Sequence, residues 1–452
     1  MPAAVVPAAA AVTPPAESAV AESAVAESAL VSRAAPGRPW PALARLAPVA
    51  RRLALGAGAR GRGGTIEVTD AAGAQRLGEG GPLARVRVHD DRAYASLVGS
   101  GSVGLGRSYV AGWWDCDDLT ALVQVLFRWS GSLRAPLDGV ARVMAPLLDL
   151  PARLRAPGRA EDLHNVRAHY DLSNEFFELM LDETMTYSCA VFEQAGSSLA
   201  DAQRAKIARL CTKLALRPGD HVVEIGSGWG GLAIHAAGQY GCRVTTTTIS
   251  EAQRAYVAER VAQAGLSHRV RVLGDDWRDL PARADKHGRF DKLVSVEMIE
   301  AVDWRHHDEF LGACANLLRD DGVAVLQAIV IDDRSFERAK RHQDFVRRMV
   351  FPGGCIPSVQ SIVSSLARAS DLRVVDLEDI GRHYAQTLKL WAANLGSHAE
   401  AVERMGVSNE LRRLWALYLA YCEASFLERH ISDVQLVLAK PGWRGRLQVR
   451  EA

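Results

Sequence analysis

Apolar residues are unevenly patterned along the chain, and the second half is the more regular. Short apolar runs occur at His221 to Ile225 (HVVEI), Arg243 to Ile249, Val270 to Leu273, Lys292 to Val296, Val323 to Ile331, Leu372 to Leu377 and Val434 to Leu438, most of them separated by stretches with helical spacing. Strands alternating with helices require right-handed crossovers, so the pattern predicts an α/β fold with a doubly wound, mostly parallel sheet. Ligands bind such sheets at the carboxyl ends of the strands. The first half differs. Thr65 to Asp70 (TIEVTD) and Leu83 to His89 (LARVRVH) alternate apolar and polar residues across Gly-rich turns, as half-exposed strands do. Helical patterns run from Leu119 to about Leu154, and a helix-rich entry from Leu163 to Leu181 leads into the α/β half. The expected organisation is a tail over 1–35, a small α+β domain over 36–155 and the α/β domain over 160–452.

Composition narrows the classes. A chain of 452 residues, 48% hydrophobic and 24% charged, carries enough apolar material for two packed domains. Its formal net charge of +1 provides no bulk field for nucleic acid, so none is expected as a partner. The seven cysteines are odd in number, widely spaced and without a C-x-x-C pair, which argues against a disulfide framework or a structural metal site and for a reducing, cytoplasmic compartment. No stretch reaches the roughly 20 apolar residues of a membrane span, and the first thirty residues do not read as a signal peptide. The tail repeats AESAV, AESAV, AESAL from Ala16 to Leu30, a five-residue period that fits neither helix nor strand and predicts disorder. From Arg33 to Arg62 there are seven arginines and no acid, either a solvated basic helix or one lying on anionic headgroups.

At the end of the first α/β strand stands Glu224-Ile225-Gly226-Ser227-Gly228-Trp229-Gly230-Gly231, where missing Cβ atoms let a ligand approach the backbone. An ordinary tight turn also fits. The spacing lacks the third glycine of the dinucleotide fingerprint, and no G-K-[ST] follows. Strand two ends in Thr248-Ile249-Ser250-Glu251-Ala252-Gln253, offering hydroxyls and an amide where a nicotinamide enzyme would carry an acid; Ser250 and Gln253 also fit a helix-start capping box. After strand three, Asp275-Asp276-Trp277 sets an acid beside an aromatic, suited to an adenine amino group and ring face, or simply a packed tryptophan.

Three separated motifs, His169-Tyr170-Asp171-Leu172-Ser173-Asn174-Glu175-Phe176-Phe177, Met185-Thr186-Tyr187-Ser188-Cys189-Ala190 and Phe351-Pro352-Gly353-Gly354-Cys355-Ile356-Pro357-Ser358, together with the glycine turn, resemble the cyclopropane-fatty-acid and mycolic-acid cyclopropane synthases over residues 160–442. Gly104 to Asp115 (GLGRSYVAGWWD) resembles the N-terminal domain of the longer, phospholipid-acting members. The resemblance implies a Rossmann-like S-adenosylmethionine-dependent methyltransferase with a cofactor pocket of Tyr187, Ser188, Gly226, Gly228, Thr248, Ile249, Gln253, Asp276 and Trp277. It also implies a catalytic cluster in which Cys189, Glu300, Ile329 and Tyr384 surround a bicarbonate ion, although Cys189 alone reads as a small core residue and Tyr384 as a half-buried aromatic. The implied substrate is an unsaturated phospholipid, met by peripheral contact at the inner face of the membrane, with lipid interaction assigned to the N-terminal domain. A homodimer is compatible with this, and so is a separate reductase acting on the product.

In the implied chemistry a cis alkene takes the sulfonium methyl, leaving a carbocation that Tyr384 and the Glu300 carboxylate shelter and a base deprotonates. Loss of a proton from the added methyl closes a cyclopropane; a hydride shift first gives an exocyclic methylene. The chain departs from the family pattern at three places. Gln327 stands where a histidine usually holds the ion, Ala301 follows Glu300 in place of histidine, and Arg107 replaces an acid. Glutamine hydrogen-bonds an anion but relays no proton, which favours altered base placement, the methylene product and Gln327 as an active-site residue. The arginine-rich segment Arg334 to Arg348 is either a solvated face or a phosphate seat. Two alternatives remain: a methyltransferase of the same fold acting on a small soluble acceptor, and a catalytically silent lipid-binding relative.

Overall fold

The computed structural model describes residues 41–129 and 173–445. The expected tail, the helical pattern beyond residue 129 and the opening of the HYDLSNEFF motif lie outside the described residues.

In the N-terminal unit, helix α1 (Pro41–Gly58) precedes strands β1 (Gly64–Asp70), β2 (Gly73–Glu79) and β3 (Leu83–Val88), then helix α2 (Arg92–Val110), strand β4 (Trp114–Cys116) and helix α3 (119–129). The strands form one sheet in the order β2-β1-β3-β4, with β1 and β3 parallel and the other pairs antiparallel. The apolar pattern foresees β1 and β3 but not β2, an edge strand whose one buried residue is Leu77, nor β4, which has only three residues. Two glycines, Gly61 ahead of β1 and Gly78 inside β2, have a packing reason. Trp129 of α3 is buried against Gly61 and Gly78, where a Cβ would come within 2.1 and 2.3 Å of its indole.

The larger unit contains β5 (His221–Ile225), β6 (Arg243–Thr247), β7 (Val270–Leu273), β8 (Phe290–Val296), β9 (Leu318–Ile331), β10 (Arg373–Asp379) and β11 (Ile431–Ala439) in the order β10-β11-β9-β8-β5-β6-β7. Its helices are α4 (Asn174–Met180), α5 (Leu199–Lys213), α6 (Gly231–Tyr240), α7 (Glu251–Gln263), α8 (Leu280–His287), α9 (His307–Leu317), α10 (Asp333–Ala339), α11 (Phe345–Met349), α12 (Val359–Ala369), α13 (Gly381–Ser397), α14 (Ala399–Arg404) and α15 (Asn409–Leu427). Strands β7, β6, β5, β8 and β9 are mutually parallel, and only β11 is reversed, pairing antiparallel with both neighbours. The seven apolar runs of the sequence become these seven strands; β9 begins five residues earlier than its run, through the polar Arg319-Asp320-Asp321. Full burial explains the near-continuous apolar runs: Val222, Val223, Leu293, Val325 and Leu436 have no exposed surface. The chain leaves β5 toward β6 and returns on its other side at β8, so the switch point where a doubly wound sheet opens a crevice lies between β5 and β8.

Helix α15 joins the two units. Arg413 donates from Nε to Tyr109 O at 2.6 Å, from Nη1 to Asp115 at 2.8 Å and from Nη2 to Trp114 O at 2.7 Å, with its guanidinium 4.0 Å over the Tyr109 ring. Arg128 and Gln124 of α3 both reach Glu428. Among the described residues no helix is long and apolar enough to cross a membrane. Replacing Arg413 with alanine strands two carbonyls and one carboxylate together, and should lower stability by about 2 kcal/mol. Denaturant unfolding of R413A checks this, alongside earlier proteolytic release of the N-terminal unit; an unchanged midpoint and digestion pattern would show that other contacts hold the units.

Candidate active site

All nine residues expected to hold the cofactor line one cavity at the β5/β8 switch point. Gly226, Gly228 and Gly230 take positive φ values of 93°, 48° and 86°, a path that suits glycine, and a Cβ at Gly228 would project into open space. The turn thus presents bare backbone to the cavity ahead of α6. Past β6, Thr248 Oγ1 donates to Gln253 Oε1 at 2.8 Å, while Gln253 N donates to Ser250 Oγ at 3.3 Å. Gln253 therefore serves the helix cap through its backbone and keeps its side chain for the cavity wall. Asp276 caps the following turn, receiving Arg278 N at 2.9 Å and the Arg278 guanidinium at 3.1 Å. That guanidinium lies 4.4 Å over the Trp277 ring, and Phe310 packs against the same indole at 5.2 Å. Tyr187 and Ser188 close the opposite wall.

Two buried ionisable groups on this wall went unremarked in the sequence. Lys206 of α5 is 1% exposed and donates from Nζ to Ser188 Oγ at 2.7 Å; burial pushes its ammonium below the ordinary lysine range. Glu224 at the end of β5 is 3% exposed, and burial pushes its carboxyl up to about 8. Its Oε2 has no hydrogen-bond partner among the described residues, so the cavity contains a neutral acid able to ionise against a cation.

Beyond the cavity, one residue gathers the catalytic candidates. Glu297, the first residue past β8, lines the same cavity. Its Oε1 accepts from Cys189 N at 2.8 Å and from Gln327 Nε2 at 2.8 Å, and its Oε2 accepts from Tyr384 Oη at 2.6 Å. Three donors would satisfy a carboxylate at this position. Its backbone has φ of 50°, uncommon for a residue with a Cβ and costing on the order of 1 kcal/mol, and such outliers cluster at functional sites. Gln327 also donates to Asp433 Oδ2 at 2.9 Å, and Gln435 Nε2 holds Gln327 Oε1 at 3.1 Å, fixing the orientation of the Gln327 amide. Asp433 is fully buried on the reversed strand β11, and burial together with Glu297 raises its carboxyl far above the usual range. Glu300 accepts from the backbone N–H of Ile329; burial and the nearby Glu297 push it up to about 8. Of three neighbouring carboxyls, burial and mutual repulsion thus raise two, Glu300 and Asp433.

Of the five expected catalytic residues, Cys189 through its backbone N–H, Gln327 and Tyr384 converge on Glu297, while Glu300 holds the Ile329 N–H. Cys189 and Tyr384, expected to surround a bicarbonate ion with Glu300 and Ile329, thus bond a side chain here, as does Gln327 at the position of the ion-holding histidine. The Cys189 thiol donates to Ala190 O at 3.3 Å, and burial together with the neighbouring Asp433 and Glu297 raises its pKa, so it is held as a thiol beside the acids. Glu297 was legible only as one acid of E-x-x-E past an apolar strand, and Asp433 as a lone acid inside the run ISDVQLVLA. The wall facing Glu297 is aromatic: Tyr384 stacks on Phe426 with centroids 4.4 Å apart and meets Trp391 edge-on at 6.0 Å. Among the described residues no cluster of His, Cys, Asp or Glu could hold a metal ion.

Known proteins share this fold. The cyclopropane synthase MmaA2 of Mycobacterium tuberculosis superposes with a TM-score of 0.56 at 31% identity, covering 62% of this chain and 98% of that one. The mycolic acid cyclopropane synthase CmaA1, solved with SAH and CTAB, does so with a TM-score of 0.55 at 31% identity over 62% of this chain and 98% of that one. A cavity of this kind on this sheet defines the class, and the enzyme is an S-adenosylmethionine-dependent methyltransferase. Residues 158–436 match the family model described as mycolic acid cyclopropane synthetase, and the chain belongs to that family. It is similar to the tuberculostearic acid methyltransferase of M. tuberculosis, 36% identical over 78% of this chain and 83% of that one. It is also similar to the cyclopropane-fatty-acyl-phospholipid synthase of Escherichia coli, 33% identical over 80% and 89%.

Glu224 makes cofactor binding pH-dependent with a defined sign. A ligand ammonium that pairs with the ionised form must displace its proton at any pH below about 8, so affinity for S-adenosylmethionine should rise with pH toward that value, by up to about tenfold per unit, and then level off. Calorimetry in buffers of different ionisation enthalpy should count close to one released proton for the wild type and none from this group in Glu224→Gln. Equal proton release by both proteins would remove Glu224 from the binding step.

Proposed function

We propose that this enzyme methylates the cis double bond of an unsaturated fatty acyl chain in a membrane phospholipid, and that the Glu297 carboxylate removes the proton that ends the reaction. The observation that supports this reading most strongly is the convergence of three donors on Glu297 between the cofactor cavity and an aromatic wall.

Bound S-adenosylmethionine supplies an electrophilic methyl group to the alkene π-bond. The protein's own residues then manage the positive carbon left behind. The ring face of Tyr384, oriented by its hydrogen bond to Glu297 and its stack on Phe426, offers negative quadrupole without a nucleophilic oxygen directed at the cation. Buried aromatics exclude water, which would otherwise quench the cation as an alcohol. In this reading the fixed negative charge assigned from sequence to Glu300 falls to Glu297, since burial and the nearby Glu297 push the Glu300 carboxyl up to about 8. Taking the proton onto Glu297 forms its O–H bond, and the C–H electron pair becomes the new carbon–carbon bond. A bicarbonate ion would compete with Glu297 for the same donors.

The methylene outcome follows from the same hydrogen bonds. Three donors fix Glu297 in place, so the cation has time for a hydride shift from the methyl-bearing carbon, which carries the positive charge there, before a proton of the added methyl leaves. A methylene product would need a separate reductase to become a methyl branch. The family names leave both outcomes open, since relatives are called methyltransferases and cyclopropane synthases alike.

Surface chemistry suits a bilayer. Leu46, Val49 and Leu53 of α1 are exposed by 54%, 56% and 42%, spaced along one face, with exposed Arg45 and Arg52 beside them and no acid in the helix. Apolar side chains flanked by guanidiniums fit a peripheral contact with anionic lipid.

Expression in a host lacking these lipids, followed by fatty-acid mass spectrometry, tests the reaction. The expected product gains one CH₂ and retains an unsaturation that hydrogenation removes; ring-type fragments would favour cyclopropane, and unchanged acyl chains would refute the reading. Glu297→Gln should lower turnover by about 10²-fold or more while leaving cofactor affinity within a few-fold. Glu300→Gln, which imitates a neutral acid, should retain most activity. Full activity in Glu297→Gln, measured with labelled methyl donor, would exclude it as the base.

A further inference from the structure

Two arginines meet, without an acid between them, where the N-terminal unit docks on the larger one. Arg107 occupies the last turn of α2 and Arg348 lies in α11. These helices are in direct contact: a Cβ at Gly106 would come within 2.3 Å of the Phe345 ring and 3.3 Å of Met349 Sδ, and Phe345 N donates to Ser102 Oγ at 3.3 Å. Both arginines are half-buried, and the Arg107 Nε is buried with no hydrogen-bond partner among the described residues. Burial and the Arg348 charge both act to lower the Arg107 pKa, and no carboxylate offsets them. The nearby acid, Asp344, is engaged elsewhere. It accepts from Arg347 N at 2.9 Å and from Tyr421 Oη at 3.4 Å.

Elsewhere on this interface the guanidiniums are matched, Arg413 by Asp115 and Arg128 by Glu428. An unmatched, partly desolvated pair of like charges is unfavourable by itself, and an anion held by both forks would turn repulsion into charge-assisted hydrogen bonds. The pair also adjoins the reaction chamber. Met349 and Val350 follow Arg348 into the core, Phe351 packs on Tyr418 at 5.9 Å, and the Tyr418 and Tyr187 hydroxyls hydrogen-bond at 2.8 Å on the cofactor wall. These residues share one continuous apolar cluster with Tyr384 and Phe426.

We propose that Arg107 and Arg348 form a phosphate-binding site across the two units, and that the phosphate it takes is the phosphodiester of the lipid whose acyl chain enters the apolar cluster. The lipid assignment rests on the phospholipid reading above; the anion site itself does not. A headgroup seated here would place the acyl chain's first carbons at the cluster's edge and feed its double bond toward Glu297.

Two measurements separate the site from its source. In the first, melting temperature is followed with inorganic phosphate against chloride at equal ionic strength. The wild type should be stabilised by phosphate; Arg107→Glu, which pairs with Arg348, should melt higher without phosphate and gain nothing from it. Equal stabilisation of both proteins, or of neither, overturns the site. In the second, kcat/KM is compared for dioleoyl phosphatidylglycerol and free oleate in the same mixed micelles. The phospholipid-to-oleate ratio should fall about tenfold in Arg107→Glu and in Arg348→Gln, mainly through KM, as expected for loss of a charge-assisted contact. An unchanged ratio beside a lost phosphate response overturns the headgroup assignment and leaves a soluble phosphate as the ligand. A wild type that methylates no phospholipid at all sinks the substrate reading, while the melting experiment still decides the site.

Discussion

A charged carboxylate inside an apolar chamber must be held by donors, and the position of Glu297 shows how much structure that requires. Its backbone sits in the left-handed region at the end of β8, which turns its side chain across the strand ends. One donor comes from the loop before α5, one from β9 and one from α13. Two further carboxyls, Glu300 and Asp433, lie close enough that charge on one disfavours charge on the others, and burial pushes both up. In the proposed mechanism the cluster therefore carries one negative charge, on the donor-rich Glu297. That one charge sits where the proposed chemistry needs electrostatic stabilisation of a cation and, afterwards, a proton acceptor.

The sheet supplies the frame for this. Parallel strands β5, β6, β7 and β8 direct their carboxyl ends at one crevice, and the cofactor turn occupies it. The strand β11 runs the other way and presents Asp433 and Gln435 from its opposite end, so the acid cluster is built from both chain directions. Gln435 pairs with Gln327 across the β9–β11 ladder and fixes which way its amide points.

Much of this was readable from the chain. Inner strands such as β5, β8, β9 and β11 announce themselves as apolar runs because they are largely buried, the edge strand β10 keeps a short apolar run although it is exposed, and the glycine turn follows β5. Edge strands β2 and β4 escaped because an exposed edge needs no apolar alternation and a three-residue strand has no period. The cofactor wall was legible because its residues lie in contiguous motifs at three strand ends. The acid cluster was only half legible. Cys189, Glu300, Gln327, Ile329 and Tyr384 could be assigned through motifs, but Glu297 and Asp433 stand 136 residues apart in the sequence, and only the sheet shows that they face one another. The Arg107–Arg348 pair escaped for the same reason, each arginine being unremarkable until the two units are docked.

The reversed strand has a consequence for how the enzyme comes into being. β11 follows every other strand in the chain yet inserts between β9 and β10, so the growing polypeptide builds the cofactor crevice first and receives Asp433 last. Every residue of the cofactor wall, and Glu297 itself, is therefore synthesised before the strand that fixes the Gln327 amide through Asp433 and Gln435.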